Sequence, residues 1–308
     1  MNKFQRTILK YTPIPYLLGK SKRWFLPGFQ GLALYDVIIF FRKQLKEHGL
    51  SERAAAVSYN FIMAIPPSFL FLFTLIPSLP FVSKKIIKLQ LHAIIVDIIP
   101  NAVYNKQVIS FVDSFINGSK IGLLSIGILT SFYFASNGIM GLMRSFNKKN
   151  VGFLRRKKIV MRLIALRLTT VIFALLSAYI VLLILQGALL KMLVTDKGTR
   201  AIIENTRWIF IILLVYCIIG FIFKYAPAIR EKWAFSSPGT ILATTLSLLA
   251  TIGFAFFVQS FGKYNALYGS IGTVMMVMAL IYINSVALLI GFELNVSIHS
   301  LKVIAAKR

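Results

Sequence analysis

Residues 264–292 read YNALYGSIGTVMMVMALIYINSVALLIGF, a run without a single Asp, Glu, Lys or Arg. A helix rises about 1.5 Å per residue, so a stretch this long more than crosses the ~30 Å of bilayer hydrocarbon. A charge at its centre would cost roughly 2.5–3.5 kcal/mol on insertion scales, which is why its absence is informative. The run reads as a membrane span, and further charge-free stretches occur at 54–83, 121–143, 168–190, 208–223 and 233–262. Five of the six are long enough to span unaided. The stretch 208–223 is short, but Arg207 and Lys224 can snorkel and Trp208 and Tyr225 suit the two interfaces. Only Lys263 separates the last two stretches, within FGKYNALYGS, whose Gly262, Asn265 and Gly269 are turn residues, so these spans are expected to form a tight helical hairpin.

The fold class expected is therefore an all-α integral membrane protein with six transmembrane helices, an N-terminal amphipathic interfacial helix and both termini cytoplasmic. Composition agrees. With 57% hydrophobic residues, 14% charged and a mean hydropathy of +0.77, the chain has too little polar surface to solvate a globule of 308 residues. The net charge of +26 raises the question of nucleic acid or anionic membrane, and its distribution answers it. With the N-terminus inside, 24 of the 35 Lys and Arg fall on the inner segments and 9 on the outer ones; Arg167 and Arg207 lie within spans. Acidic residues divide evenly, four to each side, with Glu293 apart. The positive-inside rule then places both termini in the cytoplasm of a bacterial cytoplasmic membrane. Anionic lipid accounts for the basic inner face without a specific nucleic-acid partner. The single cysteine, Cys217, permits no intramolecular disulfide, and the first twenty residues show no h-region of a cleaved signal.

Three segments follow: 1–50, carrying the surface helix; 51–300, the six-helix membrane domain; and 301–308, a basic tail. In the first, Leu34, Val37, Ile38, Phe41 and Leu45 recur at helical spacing, while Gln30, Lys43, Lys46 and Glu47 take other faces. Such a helix is expected to lie on the inner membrane surface. Gly49 is a candidate C-cap and Ser51 a candidate N-cap for the first span. Short interfacial helices are expected in the outer segment 84–119.

No catalytic constellation emerges. His48, His92 and His299 are scattered, without metal-ligand spacing, and no phosphate-binding glycine loop or nucleophile elbow occurs; GLLSIG at 122–127 has Leu123 where the elbow needs glycine. Neither catalytic residues, a metal site nor a cofactor is expected. The unusual polar residues lie in the spans. Pro66-Pro67 interrupts the first, behind Ser58, Tyr59 and Asn60, and a proline pair is expected to break the helix and free the carbonyls of Ile62 and Met63. Such breaks mark transporter sites, though a packing kink is the plainer alternative. Ser136, Asn137, Gly138 and Gly141 gather in the second span; the glycines suit close helix contact, and Asn137 needs hydrogen-bond partners. Glu293 could couple to protons or cations, or could pair with Arg53, Arg144 or Arg167.

Several blocks, in order, carry a resemblance. They are RAAAVSYNFIMAIPP at 53–67, SNGIMGLMRSFN at 136–147, RRKKIVMRLIALRLT at 155–169, KYAPAIREKW at 224–233 with PG at 238–239, YNALYGSIG at 264–272 and GFELN at 291–295. Across residues 30–300 the chain resembles the YihY/virulence factor BrkB family of inner-membrane proteins. It departs at Lys224, where an arginine is usual, and at Ile281, where a tryptophan generally precedes the tyrosine. The resemblance implies a multi-pass inner-membrane protein; members once carried the label ribonuclease BN, and the BrkB branch is linked to serum resistance. The residues themselves argue against a nuclease.

Two functions compete, and the first is the one expected, because Tyr59, Asn60, Pro66, Pro67, Asn137 and Glu293 are costly to keep in a membrane without a cavity. One is a transporter or lipid translocator of an anionic substrate, with a polar cavity lined by Tyr59, Asn60, Pro66, Pro67, Asn137 and Glu293 and with Arg53, Arg144, Arg162 and Arg167 serving headgroup or ion pairing. The other is a non-transporting envelope organiser that binds anionic lipid or partner proteins.

Overall fold

The computed structural model describes residues 24–47, 49–75, 121–147, 151–193, 197–260 and 264–306, with scattered positions between 88 and 113. Within these, every regular element is a helix: α1 (Leu34–Glu47), α2 (Leu50–Leu75), α3 (Ile121–Phe146), α4 (Lys158–Leu193), α5 (Lys197–Tyr225), α6 (Pro238–Ser260) and α7 (Tyr264–Ala305). Among the described residues, four helical segments are long and apolar enough to cross a membrane: Lys158–Leu182, Trp208–Tyr225, Pro238–Val258 and Val274–Ala305. The first two expected spans fall on α2 and α3, and residues 76–83 of the first lie outside the described set. His48, the 261–263 turn and most of 84–119 also lie outside it.

The helix ends have local causes. Gly49 takes φ 52°, the left-handed conformation that ends α1, and α2 starts directly after it, with the Arg53 amide donating to the Gly49 carbonyl at 3.2 Å. Ser51 is not an N-cap: it lies inside α2, and its hydroxyl shares a 2.7 Å hydrogen bond with the Tyr282 hydroxyl. The fifth span begins at Pro238 rather than at 233. Ser237 caps it, its Oγ accepting from the Thr240 amide at 3.3 Å, and proline at the first helical position loses no ladder bond.

The expected break at Pro66-Pro67 is absent, since α2 runs as one helix from Leu50 to Leu75. Two adjacent prolines remove neighbouring donors, so the loss is confined to about one turn. Directly after the pair, Ser68 adds a 2.6 Å side-chain bond to the Ala64 carbonyl.

The chain divides into two compact units. The first comprises Met1–Ser58, Arg144–Arg156 and Ile219–Arg308; the second comprises Tyr59–Met143 and Lys157–Ile218. In the first, Phe146, Phe223 and Phe292 are fully buried, with Phe146 and Phe292 stacked at 3.8 Å between centroids and Trp233 tilted against Phe292 at 5.6 Å. Helices α6 and α7 cross closely at Gly239 and Gly291. A Cβ on Gly239 would lie 2.2 Å from the Gly291 carbonyl oxygen, so no larger residue fits this crossing. Leu249, Ile252, Phe256, Val277 and Met278 point outward from the same helices, as contact with hydrocarbon requires.

Helix α1 corrects a second expectation. The apolar face built on Val37 packs on protein: Val37 is buried with Phe29 and Ile298, and Leu32, Leu34, Leu294 and Leu301 close around them. The extension of α7 beyond Glu293 provides that surface, so it competes with lipid for the same side chains and wins.

In the second unit Phe71, Phe132 and Phe173 form an aromatic cluster with centroids 4.8–6.0 Å apart. Gly138 lies against Phe61 and Ala64, and a Cβ on Gly141 would meet the Asn60 side chain at 2.3 Å. Both glycines thus serve close helix contact.

Candidate functional site

Within the first unit a buried polar cluster joins three of the sequence blocks. Glu293, on α7, is 1% exposed, and its Oε1 pairs with Nη1 of Arg53, the buried arginine in the first turn of α2. Arg53 also donates from Nε to the Ser145 hydroxyl at 3.3 Å and from Nη2 to the Ser145 carbonyl at 3.1 Å. The aromatic stack of Phe146 and Phe292, each next in sequence to a member of the cluster, bounds it in apolar surface. In such surroundings neither charge is tolerable alone. Of the three arginines expected as partners of Glu293, Arg53 is the one selected. Arg144 and Arg167 are exposed.

Two residues further along α7, Asn295 is also buried. Its Oδ1 accepts from the Gly239 amide at 2.8 Å, and its Nδ2 donates to the Ser237 hydroxyl at 2.8 Å, bonding the capping residue of α6 itself. The side chain that locks the α6–α7 crossing therefore comes from the same GFELN block as Glu293. Arg156 closes another joint of this unit. It donates to the carbonyls of Ala226 (3.0 Å) and Pro227 (2.7 Å), beside the end of α5. Burial pulls its guanidinium below the ordinary arginine value, and these carbonyls offset part of the lost hydration. An antiparallel bridge between Phe153 and Ile229 joins the same segments.

The second unit holds a separate arrangement. Arg162 lies over the Tyr133 ring at 3.5 Å and donates to Asn137 Oδ1 at 2.7 Å and to the Tyr133 carbonyl at 2.8 Å. Asn137 thereby finds its partner, but that partner is Arg162 of α4 rather than carbonyls freed in α2. Tyr59 is 61% exposed, Pro66 is exposed, Pro67 is half-buried, and Asn60 sits against Gly141. Of the six residues expected to line one cavity, Tyr59, Asn60, Pro66, Pro67 and Asn137 lie in the second unit and Glu293 in the first.

Sequence reasoning missed Ser145, Tyr133, Asn295 and Arg156. Asn295 carried a signal, since an amide two residues from a membrane carboxylate needs partners. Ser145 and the main-chain carbonyls carried none, because their role depends on which helices meet. Among the described residues, no three of His, Cys, Asp and Glu gather as metal ligands would. His92 instead shares Asp113 with Lys88, at 2.9 and 3.0 Å.

Comparison with known proteins follows from these blocks. A family model described as virulence factor BrkB matches residues 41–307. The Bacillus subtilis ribonuclease-like protein YfkH is 27% identical over 261 residues, covering 83% of this chain and 92% of that protein. A UPF0761 membrane protein of Mannheimia succiniciproducens is 20% identical over 279 residues, covering 89% of this chain and 92% of its own length. A UPF0761 membrane protein of Stenotrophomonas maltophilia is 32% identical over 91 residues, which is 30% of this chain and 22% of that protein. No solved structure matches.

Proposed function

Because the chain belongs to the virulence factor BrkB family and is a multi-pass helical membrane protein, we propose that it works as a non-transporting organiser of the bacterial cytoplasmic membrane. In this reading its six spans carry both termini inside, and its basic inner face holds anionic lipid headgroups.

One observation carries the choice. Among the described residues of the first unit, Arg42, Lys43, Lys46, Arg144, Arg155, Arg230, Lys232 and Lys302 are exposed, against only Asp36, Glu52 and Glu231 of opposite sign. The polar side chains deep in the helices meanwhile have separate partners: Glu293 Oε1 pairs with Arg53, its buried Oε2 having no hydrogen-bond partner among the described residues, and Asn137 accepts from Arg162. A transporter needs those groups gathered around a substrate, with a discontinuous helix to admit it. The continuous α2 and the exposed Pro66 remove the reason for preferring transport. Juxtamembrane bases each gain about 1 kcal/mol near an anionic leaflet, so eight such groups suffice for preferential lipid contact. The ribonuclease-like description of YfkH belongs to that relative; for this chain we propose no nuclease activity, and RNA adhering to the basic face would leave it with added salt.

The test is reconstitution into mixed phosphatidylglycerol–phosphatidylcholine membranes. Lipid retained by the purified protein should be enriched in phosphatidylglycerol, and lipid scrambling and solute uptake should stay at the empty-vesicle rate. Retained lipid matching the bulk composition, or transport above that rate, overturns the proposal.

A further inference from the structure

Helix α1 turns one face to protein and leaves the other exposed. At 100° per residue, Leu34, Phe41 and Leu45 fall within about 80° of Val37; Val37 and Leu34 on this face pack with Ile298, and Phe41 and Leu45 are half-buried. Ile38, Ile39, Arg42, Lys43 and Lys46 fall between about 100° and 240° from Val37, and all five are exposed. The uncovered face is ordered along the helix as well as around it. Its two isoleucines occupy the N-terminal half, and its three cations follow at one and two turns.

The preceding turn extends the apolar half. Trp24, Phe25 and Leu26 are 51%, 65% and 41% exposed. They are not a loose tail, because the Leu34 amide donates to the Trp24 carbonyl at 3.0 Å and the Phe29 amide to the Leu26 carbonyl at 3.1 Å. Gly28, at φ 86° and against Pro238, fixes the bend that returns the chain to α1. Phe29 then anchors the turn in the same small core as Val37.

We infer that the Trp24–Leu26 turn and the outward face of α1 form an interfacial wedge that seats in an anionic leaflet, the aromatic and isoleucine side chains entering the headgroup–acyl boundary and Arg42, Lys43 and Lys46 meeting lipid phosphates. The wedge rests on the lipid-binding reading above and gives it an address. Trp and Phe beside Ile match the apolar side of the interface, and long basic side chains reach outward to the headgroups. Its attitude is set by Ile298 on α7, so it differs from the lipid contact that the sequence periodicity alone implied. The Val37 face belongs to protein and the Ile38–Ile39 face to lipid.

The experiment uses the full chain with Cys217→Ala, in nanodiscs of phosphatidylglycerol and phosphatidylcholine. Fluorescent labels on Phe25→Cys and on Ile38→Cys should be quenched by spin-labelled lipid at least twofold more than a label on Glu231→Cys, an exposed acidic site of the same unit. That difference should shrink in phosphatidylcholine alone. Equal quenching of all three labels, or no dependence on phosphatidylglycerol, overturns the wedge. A second arm compares retained lipid for the wild type and for Arg42→Glu/Lys43→Glu/Lys46→Glu, with size-exclusion profiles confirming that both remain folded. Loss of most phosphatidylglycerol enrichment supports the wedge. If the variant keeps the wild-type enrichment, the wedge is wrong and the broader reading stands; if the wild type shows none, the broader reading falls first.

Discussion

Removing one member of the Arg53–Glu293 pair leaves the other charge buried in a site bounded by phenylalanine, and such losses typically amount to about 3–5 kcal/mol. Arg53→Ala and Glu293→Ala should therefore each lower the thermal midpoint of the purified protein sharply. The double variant should be less destabilised than the sum, because no lone charge remains. Additive losses, or single variants that melt with the wild type, would show that the pair does not hold the helices. Asn295→Ala tests the neighbouring joint: it strips partners from the Gly239 amide and Ser237 and should cost about 1–3 kcal/mol. A third residue-scale expectation concerns pH. Burial acts to raise the Asp113 carboxyl, but hydrogen bonds from Lys88 and His92, and their charges, bring it below its ordinary 3.8. With the folded value below the unfolded one, the clip's contribution is present above that pH and is lost as pH falls through the folded value. Proteolysis of 84–119 at neutral pH should thus be faster in Asp113→Asn than in wild type, and acid should abolish the difference; no difference at neutral pH rules the clip out. At this scale the sequence disclosed that Glu293 needed a cation and Asn137 a partner. Which cation, and which partner, depended on helix neighbours that no local pattern encodes.

Helices were legible where a single physical term ruled and misread where two competed. Runs without charge located α4 to α7, because the bilayer penalises charge regardless of context. Their ends were displaced, since the backbone ladder does not stop where the bilayer does. α4 starts at Lys158, ten residues before its charge-free run, and α7 continues to Ala305, where its extra turns carry Ile298 to α1. The proline pair was read as a break because proline costs about 3 kcal/mol in a helix interior, yet α2 absorbs both. Since Pro66 is exposed and the helix continuous, Pro66→Ala should restore a ladder donor without opening a cavity. We expect a raised thermal midpoint and unchanged lipid retention. A fall in stability would mean that the proline packs against something its exposure does not reveal.

For the whole molecule the decisive quantity is the asymmetry of charge. Each Lys or Arg near a span end biases insertion toward retention inside, and the bias acts through short segments flanking the spans rather than through net charge. In the proposed six-span arrangement the inner segments would hold 24 such residues and the outer ones 9, while the acids divide evenly, so the expected orientation rests on the basic residues alone. The short span Trp208–Tyr225 is the sensitive point. If it failed to insert, α6 and α7 would invert and the tail after Glu293 would emerge outside. Among the described residues, this segment is long and apolar enough to cross, and its Trp208 and Ile209 point outward as a lipid-facing end would. Reporters fused after Arg308 and inserted at 148–158 should therefore both read cytoplasmic, and one at 101–107 should read external. An external C-terminus with a cytoplasmic 148–158 loop would mean an odd number of crossings between them and would refute the six-span arrangement. It would also move Arg230, Lys232 and Lys302 off the face assigned to anionic lipid, so the same measurement bears on the proposed function.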